Sequence, residues 1–274
     1  MTPRIIFTYW HQGFEAAPAV PRACLDQIRR THSDCDIHAL DSSDLEEIRK
    51  DIPLSEDVWN KLAIPHQSDL IRTALLLRHG GIWMDPTVYP LSSSWDWLQD
   101  KMDAGLFFFQ RPGRDRLISN WLIAAERGHP VLADLLEKLC AYHETRDWRE
   151  PSAQQARRHS TLSRLINRHP DLTRLWLWKP LRYLVRQPPY LIYHYALYDL
   201  LCSKPHLRDI WNKMPVISAL PPHKLQRIGL QAPVSADAKA QIADPEVPLF
   251  KLTWKLPKPE VVEGSVLDYL FSHG

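Results

Sequence analysis

Two short segments hold the residues best able to act together on a ligand. They are Ser68-Asp69-Leu70-Ile71-Arg72 and Gly80-Gly81-Ile82-Trp83-Met84-Asp85-Pro86-Thr87. Asp69 and Arg72 lie three positions apart, so on a helix they share a face. A carboxylate that accepts beside a guanidinium that donates can hold the vicinal hydroxyls of a sugar. The plainer alternative is a surface ion pair contributing about 0.2–0.5 kcal/mol. Pro86 biases Asp85 to an extended backbone, and strand-like alternation would then turn Thr87 Oγ1 to the same side as the Asp85 carboxylate. One hard carboxylate and a hydroxyl suffice for Mg²⁺ or Mn²⁺ when the oxygens of a bound diphosphate complete the shell. The alternative for Asp-Pro-Thr is a turn in which Asp85 caps backbone amides.

Later in the chain, Lys251-Leu252-Thr253-Trp254-Lys255 reads as part of a strand over Phe250–Trp254. Period-two alternation would turn Lys251, Thr253 and Lys255 to one face, where two ammonium groups could neutralise a leaving diphosphate; otherwise this is an exposed polar face. His194 stands among Tyr190, Tyr193, Tyr195 and Tyr198 and is either a satisfied core histidine or a phosphate or metal contact. From Arg174 to Tyr198 flat aromatic faces alternate with Arg174, Lys179, Arg182 and Arg186. Such a surface suits sugar rings or an anionic membrane, unless Trp176 and Trp178 simply pack a helical subdomain.

These residues need a scaffold. Arg4 to Tyr9 and Asp36 to Leu40 are strand-like, and Pro21 to Arg30 is helical between them. Ser43 and Glu46 read as a capping box. A long helix from Ile64 to His79 is closed by Gly80-Gly81, Ile82 to Met84 is a short strand that ends at Asp85, Gly105 to Gln110 is another strand, and Pro130 to Tyr142 is a helix. The alternation predicts an α/β fold with a mainly parallel sheet flanked by helices, in which ligands bind beyond the carboxyl ends of the strands. The second half is mostly helical, with a closing helix near Val266 to Phe271. No linker divides the chain, so residues 1–274 are expected to form one domain, an α/β part over 1–140 and a helical, basic elaboration over 141–274.

Composition narrows the classes. The 274 residues are 45% hydrophobic and 24% charged, which excludes a disordered chain, and no apolar run approaches the ~20 residues of a membrane span. A net charge of +2 divides into −5 over residues 1–140 and +7 over 141–274, and the scattered histidines do not suit a zinc hydrolase. The opening Met1-Thr2-Pro3-Arg4-Ile5-Ile6-Phe7 lacks the features of a signal peptide, and the four cysteines form no C-x-x-C pair, so a cytoplasmic protein with reduced thiols is expected.

In order and spacing, Ile5-Ile6-Phe7-Thr8-Tyr9-Trp10, Ser68-Asp69-x-x-Arg72 and Gly80-Gly81-Ile82-Trp83-x-Asp85-x-Thr87 resemble the capsular polysaccharide synthesis proteins, within the wider group of DXD-containing sugar transferases. The resemblance continues through Ile118-Ser119-Asn120, Gly128-His129-Pro130, Tyr193-His194-Tyr195, Pro221-Pro222-His223-Lys224-Leu225 and Lys251-Leu252-Thr253-Trp254-Lys255. It implies a GT-A nucleotide-sugar-binding fold and retaining, metal-dependent transfer of a hexosyl unit from a nucleotide diphosphate sugar. The acceptor would be a saccharide or a lipid-linked saccharide, with peripheral contact at the inner membrane face and no nucleic acid. Carried over by position, Tyr9 and Trp10 would stack on the base, while Ser68, Asp69 and Arg72 would hold the donor sugar and ribose. Asp85 would ligate Mn²⁺ or Mg²⁺, with Thr87 where the second DXD carboxylate usually stands. His194, Lys251, Trp254 and Lys255 would complete the donor site. A non-catalytic protein that binds nucleotide sugar or glycan is the alternative.

Overall fold

The computed structural model describes residues 3–274; the expectation resting on Met1 and Thr2 lies outside the described residues. The strands are β1 (Ile5–Tyr9), β2 (Asp36–Leu40), β3 (Gly81–Met84), β4 (Val88–Pro90), β5 (Leu106–Gly113), β6 (Arg116–Ala125) and β7 (Leu249–Lys251). Five of them form one sheet in the order β2-β1-β3-β6-β5. β1 pairs in parallel with β2 and β3, and β6 runs antiparallel to β3 and β5, so β6 alone opposes the common direction of that sheet. β4 and β7 make a separate antiparallel ribbon with Val88 opposite Lys251.

The α/β expectation, with a mostly parallel central sheet between helices, therefore holds. Both faces of the sheet are buried, and successive residues take opposite sides, as a pleated strand requires. Phe7, Trp83, Phe108 and Ile123 pack on one side with Leu70, Leu132 and Leu135, while Ile6, Ile82, Met84, Phe107, Phe109 and Leu122 pack on the other. The helix Ile64–His79 lies against the first face and delivers the chain to β3 through the two glycines. Gly81 has a φ of +98°, and a Cβ there would stand 2.5 Å from the Ile5 carbonyl oxygen. Only glycine lets β3 approach β1 so closely.

Several local expectations are corrected. The capping box is formed by Asp41 and Asp44, not Ser43 and Glu46: Asp41 Oδ1 accepts from the Ser43 N–H, and Asp44 Oδ2 accepts from the Asp41 N–H. The chain enters a 3-10 turn two residues earlier than the pattern suggested, and Asp41 meets its first free amides. The expected Phe250–Trp254 strand is only Leu249–Lys251. After Lys251 the chain leaves β4, so Thr253 and Lys255 are not on a strand face shared with Lys251. Residues 116–125, given no element by the sequence reading, form the long strand β6.

Candidate active site

A cleft of about 450 Å³ opens beyond the carboxyl ends of β1 and β3, where an open α/β sheet binds its ligands. Its lining brings together Tyr9, Trp10, Ser68, Asp69, Arg72 and Asp85 with residues from much later in the chain, among them His194, Trp254 and Lys255.

Arg72 is the organising group. Its Nε donates to the Ser68 carbonyl at 3.1 Å, Nη2 to Ser68 Oγ at 2.9 Å and Nη1 to the Asn120 carbonyl at 2.6 Å. The guanidinium also lies 5.0 Å from the centre of the Trp83 ring, a cation–π arrangement inside the protein. So fixed, Nη2 stands 3.7 Å from Asp69 Oδ1 and 3.5 Å from Asp85 Oδ1. The i, i+3 spacing thus forms a buried pair rather than a surface one. Ser68, which itself lines the cleft, thus fixes the Arg72 guanidinium through both its carbonyl and its hydroxyl.

The two carboxylates differ in environment. Burial pushes the Asp69 carboxyl up to about 7, against the pull of Arg72, with Asp85 adding to the rise and the Asn120 amide opposing it. Burial also pushes Asp85 upward, but Lys251, Arg72 and the Trp83 indole together outweigh it and hold Asp85 below its ordinary value. One carboxyl is therefore ionised throughout the neutral range, and the other changes charge within it.

Asp85 and Thr87 are brought together by a turn, not by strand alternation: the Val88 N–H closes onto the Asp85 carbonyl at 2.9 Å. Asp85 does not cap backbone amides. Its Oδ1 accepts from Trp83 Nε1 at 2.9 Å, and its Oδ2 from Lys251 Nζ at 2.9 Å. The same ammonium donates to Thr87 Oγ1 at 2.6 Å. Among the described residues no cluster of three or more His, Cys, Asp or Glu side chains is arranged for a metal ion. The donors meant for Mg²⁺ or Mn²⁺ instead hold an ammonium in the notch between them, and a divalent cation would have to displace it to reach both. As arranged they do not fit such an ion.

At the mouth of the cleft, Trp10 and Trp254 meet edge to face at 5.6 Å, and Trp254 is 44% exposed. Lys255 Nζ lies 5.5 Å from the Trp254 ring centre. Tyr9 is buried and its hydroxyl is bonded to His11 Nδ1 at 2.7 Å, so the open aromatic faces belong to the tryptophans and to Tyr190, which lines the same cleft and is 72% exposed. His194 is buried, its pKa is lowered to about 3 by desolvation, and its Nδ1 has no partner. It therefore lines the cleft as a neutral imidazole. Asn120, on β6, is a site residue that the chemistry of the sequence did not single out; its amide donates to Asp69 Oδ1 at 2.8 Å.

On the helical half, Trp176 is buried and bonded to Asn167 Oδ1, but Trp178 and Tyr183 are 59% and 56% exposed. The four cations expected to face an anionic surface are mostly committed elsewhere. Arg174 pairs with Asp199, Arg182 donates to the Tyr142 carbonyl and Arg186 pairs with Asp147. No helix among the described residues is long and apolar enough to cross a membrane.

Comparison with known proteins adds a family to this geometry. An O-glycosyltransferase, braB, from Annulohypoxylon truncatum is 28% identical over 151 residues, which are 48% of this chain and 36% of that protein. The chain thus spans about a third of the length of the curated relative it matches. A solved structure, the PaToxG glycosyltransferase, aligns over 89% of this chain and 85% of its own at 12% identity, with a TM-score of 0.37. The family model of the capsular polysaccharide synthesis proteins matches residues 1–150, the segment that contains Tyr9, Asp69, Arg72, Asp85 and Asn120. This chain belongs to the capsular polysaccharide synthesis protein family.

Proposed function

We propose that this protein is a glycosyltransferase that moves a hexosyl unit from a nucleotide diphosphate sugar to a saccharide acceptor in the synthesis of a surface polysaccharide. The observation that carries this reading is the convergence of Asp69, Arg72, Asp85 and Asn120 on one cleft beyond the sheet, in a chain of this family. The chain works as one unit: residues 1–140 supply most of the donor cleft, His194, Trp254 and Lys255 complete it, and the acceptor approaches from the helical half.

The flat faces of Trp10 and Trp254 suit a nucleobase, which gains dispersion without specific hydrogen bonds. Asp69 accepts from sugar hydroxyls and Arg72 donates to them or to the diphosphate. In the reaction the bond between the anomeric carbon and the diphosphate oxygen breaks, and its electron pair leaves with the nucleoside diphosphate. The acceptor hydroxyl oxygen forms the new bond to that carbon. On the same-face course that we favour, its proton passes to an oxygen of the departing diphosphate, which needs no covalent nucleophile from the protein. Cations fixed beside the diphosphate before the reaction lower the barrier by meeting the charge that develops there.

The acceptor side includes Trp178, Tyr183 and Leu184, all exposed. An acceptor on a lipid carrier suits this face, because rings that present an apolar body and a polar edge partition to the membrane interface.

The test is turnover. Incubation with UDP-, GDP- and CDP-hexoses, with and without oligosaccharide or lipid-linked acceptors, should release nucleoside diphosphate in an acceptor-dependent way. Release undiminished without any acceptor would indicate a hydrolase. Binding without turnover under every acceptor would leave a binding protein, and Asp69→Asn at wild-type rate would remove the cleft from the chemistry.

A further inference from the structure

The notch between Asp85 and Thr87 is the place where a divalent ion would bridge protein and diphosphate, and it is filled by a side chain of the chain itself. Lys251 Nζ lies 2.9 Å from Asp85 Oδ2 and 2.6 Å from Thr87 Oγ1. The lysine is fixed by its backbone as well: it ends β7, directly opposite Val88 of β4. An ammonium has three N–H donors, and these two bonds leave one for an incoming oxygen. Mg²⁺ demands oxygen ligands at about 2.0–2.1 Å in octahedral array, and a carboxylate plus one hydroxyl already engaged by a cation does not offer that.

Charge accounting around the cleft points the same way. Arg72 and Lys251 flank Asp85, and Lys255 lines the cleft mouth. Among the described residues that line the cleft, Asp85 and Asp69 are the carboxylates that oppose these three cations. The site therefore carries positive charge in excess of what Asp85 neutralises, as a metal-loaded site does before a diphosphate enters.

We propose that Lys251 takes the place of the divalent metal: its ammonium, held by Asp85 and Thr87 and assisted by Arg72 and Lys255, neutralises the donor diphosphate, and glycosyl transfer proceeds without a metal ion. The inference rests on the nucleotide-sugar reading of the site. No covalent bond to Lys251 forms or breaks; its ammonium stabilises the oxygen that receives the electron pair as the sugar departs. Asp85 then serves as the anchor that aims the ammonium, and a threonine two residues on is the fitting partner for a lysine because its hydroxyl adds an acceptor without a second negative charge.

Calorimetry of the full chain with UDP, GDP, CDP and ADP, in EDTA and in excess Mn²⁺, tests this directly. At least one nucleotide should bind with affinity unchanged by EDTA, and electron paramagnetic resonance should detect no Mn²⁺ bound by the protein alone. Lys251→Met should weaken that nucleotide about 10-fold, a loss of one unit charge contact, with no recovery in Mn²⁺ and recovery in Lys251→Arg. Affinity that rises about 10-fold or more with Mn²⁺, or bound Mn²⁺ that is lost in Asp85→Asn, would overturn the proposal. The wild-type measurements decide the metal question even if the variants fold poorly. Failure of every nucleotide to bind counts against the nucleotide-sugar reading instead, and the Mn²⁺ resonance still decides what occupies the notch.

Discussion

Asn120 holds Asp69 by its side chain and Arg72 by its backbone: its amide donates to Asp69 Oδ1 at 2.8 Å while its carbonyl accepts from Arg72 Nη1 at 2.6 Å. One residue of the reversed strand β6 thus sets the geometry of both polar groups that the helix Ile64–His79 sends into the cleft. Asn120→Ala keeps the carbonyl and removes the amide. Because that amide favours the ionised form of Asp69, its loss should raise the Asp69 pKa further. The expected result is a fall of about 10-fold in kcat/KM and an activity profile displaced to higher pH. An unshifted profile would count against Asn120 as the residue that positions Asp69.

Asp69 also imposes a stability cost. Its folded pKa is raised from 3.8 to about 7, so between these values the native state keeps a proton that the unfolded chain has released. Stability from this group is therefore highest below pH 4 and falls as pH rises towards 7, after which the penalty is constant. Asp69→Asn, which keeps the acceptor for Asn120, should remove a penalty on the order of 2–4 kcal/mol at pH 8 while abolishing turnover. Thermal melts from pH 4 to 8 should show the variant's advantage opening across that window. An equal melting temperature at pH 8 would refute the assignment.

The neighbouring carboxylate behaves in the opposite sense. Asp85→Ala would leave the buried Trp83 Nε1 without its acceptor, at a cost of about 1–3 kcal/mol, and would release Lys251 from one of its two partners. Asp85→Asn retains an acceptor but not the charge that anchors the lysine. We expect Asp85→Asn, which leaves Arg72 and Lys251 without their counter-charge, to melt below the wild type and to lose about 100-fold or more in kcat, and Asp85→Ala to melt lower still. Steady-state kinetics beside calorimetric melts separate the two effects.

Gly81→Ala addresses the scaffold. At a φ of +98°, with a Cβ only 2.5 Å from the Ile5 carbonyl oxygen, alanine forces β3 away from β1 at the start of the strand whose far end leads to Asp85. The variant should lose about 2–4 kcal/mol, read by chemical denaturation. Gly128→Ala, where an added Cβ meets nothing within 4 Å despite a φ of +72°, should lose less.

The exposed rings of the helical half make a separate prediction. Because Arg174, Arg182 and Arg186 have internal partners, attachment to a bilayer through this face would be mainly apolar. Sedimentation with anionic vesicles should then fall in Trp178→Ser and Tyr183→Ser and depend weakly on salt. Binding that vanishes with modest salt but survives both substitutions would point to charge elsewhere.

Much of this was legible from sequence because the signals were local. The helix Ile64–His79, the double glycine and the strand-end position of Asp85 each follow from a few consecutive residues, and Asp69 and Arg72 follow from helical spacing. β6 was not legible: Trp121 to Ala125 is apolar on both sides because both faces of the sheet are covered, and Ser119-Asn120 interrupts the run before it, so the segment lacks the alternation that marks a half-buried strand. Asn120 was missed with it. The role of Lys251 was hidden for another reason, since its partner Asp85 lies 166 residues away and no local pattern encodes a contact of that separation. A strand drawn three residues too long then placed Lys251 on a face with Thr253 and Lys255 that does not exist.

The β4–β7 ribbon has a consequence for how the protein is made. Asp69, Arg72 and Asp85 leave the ribosome early, but the lysine that completes their charge balance arrives only with β7. A nascent chain that stops short of residue 249 carries a half-neutralised carboxylate in a nearly finished site, with Thr87 lacking its partner. Closure of the last ribbon therefore sets the charge of the notch: Asp85 and Thr87 gain their lysine partner only when the C-terminal segment pairs with β4.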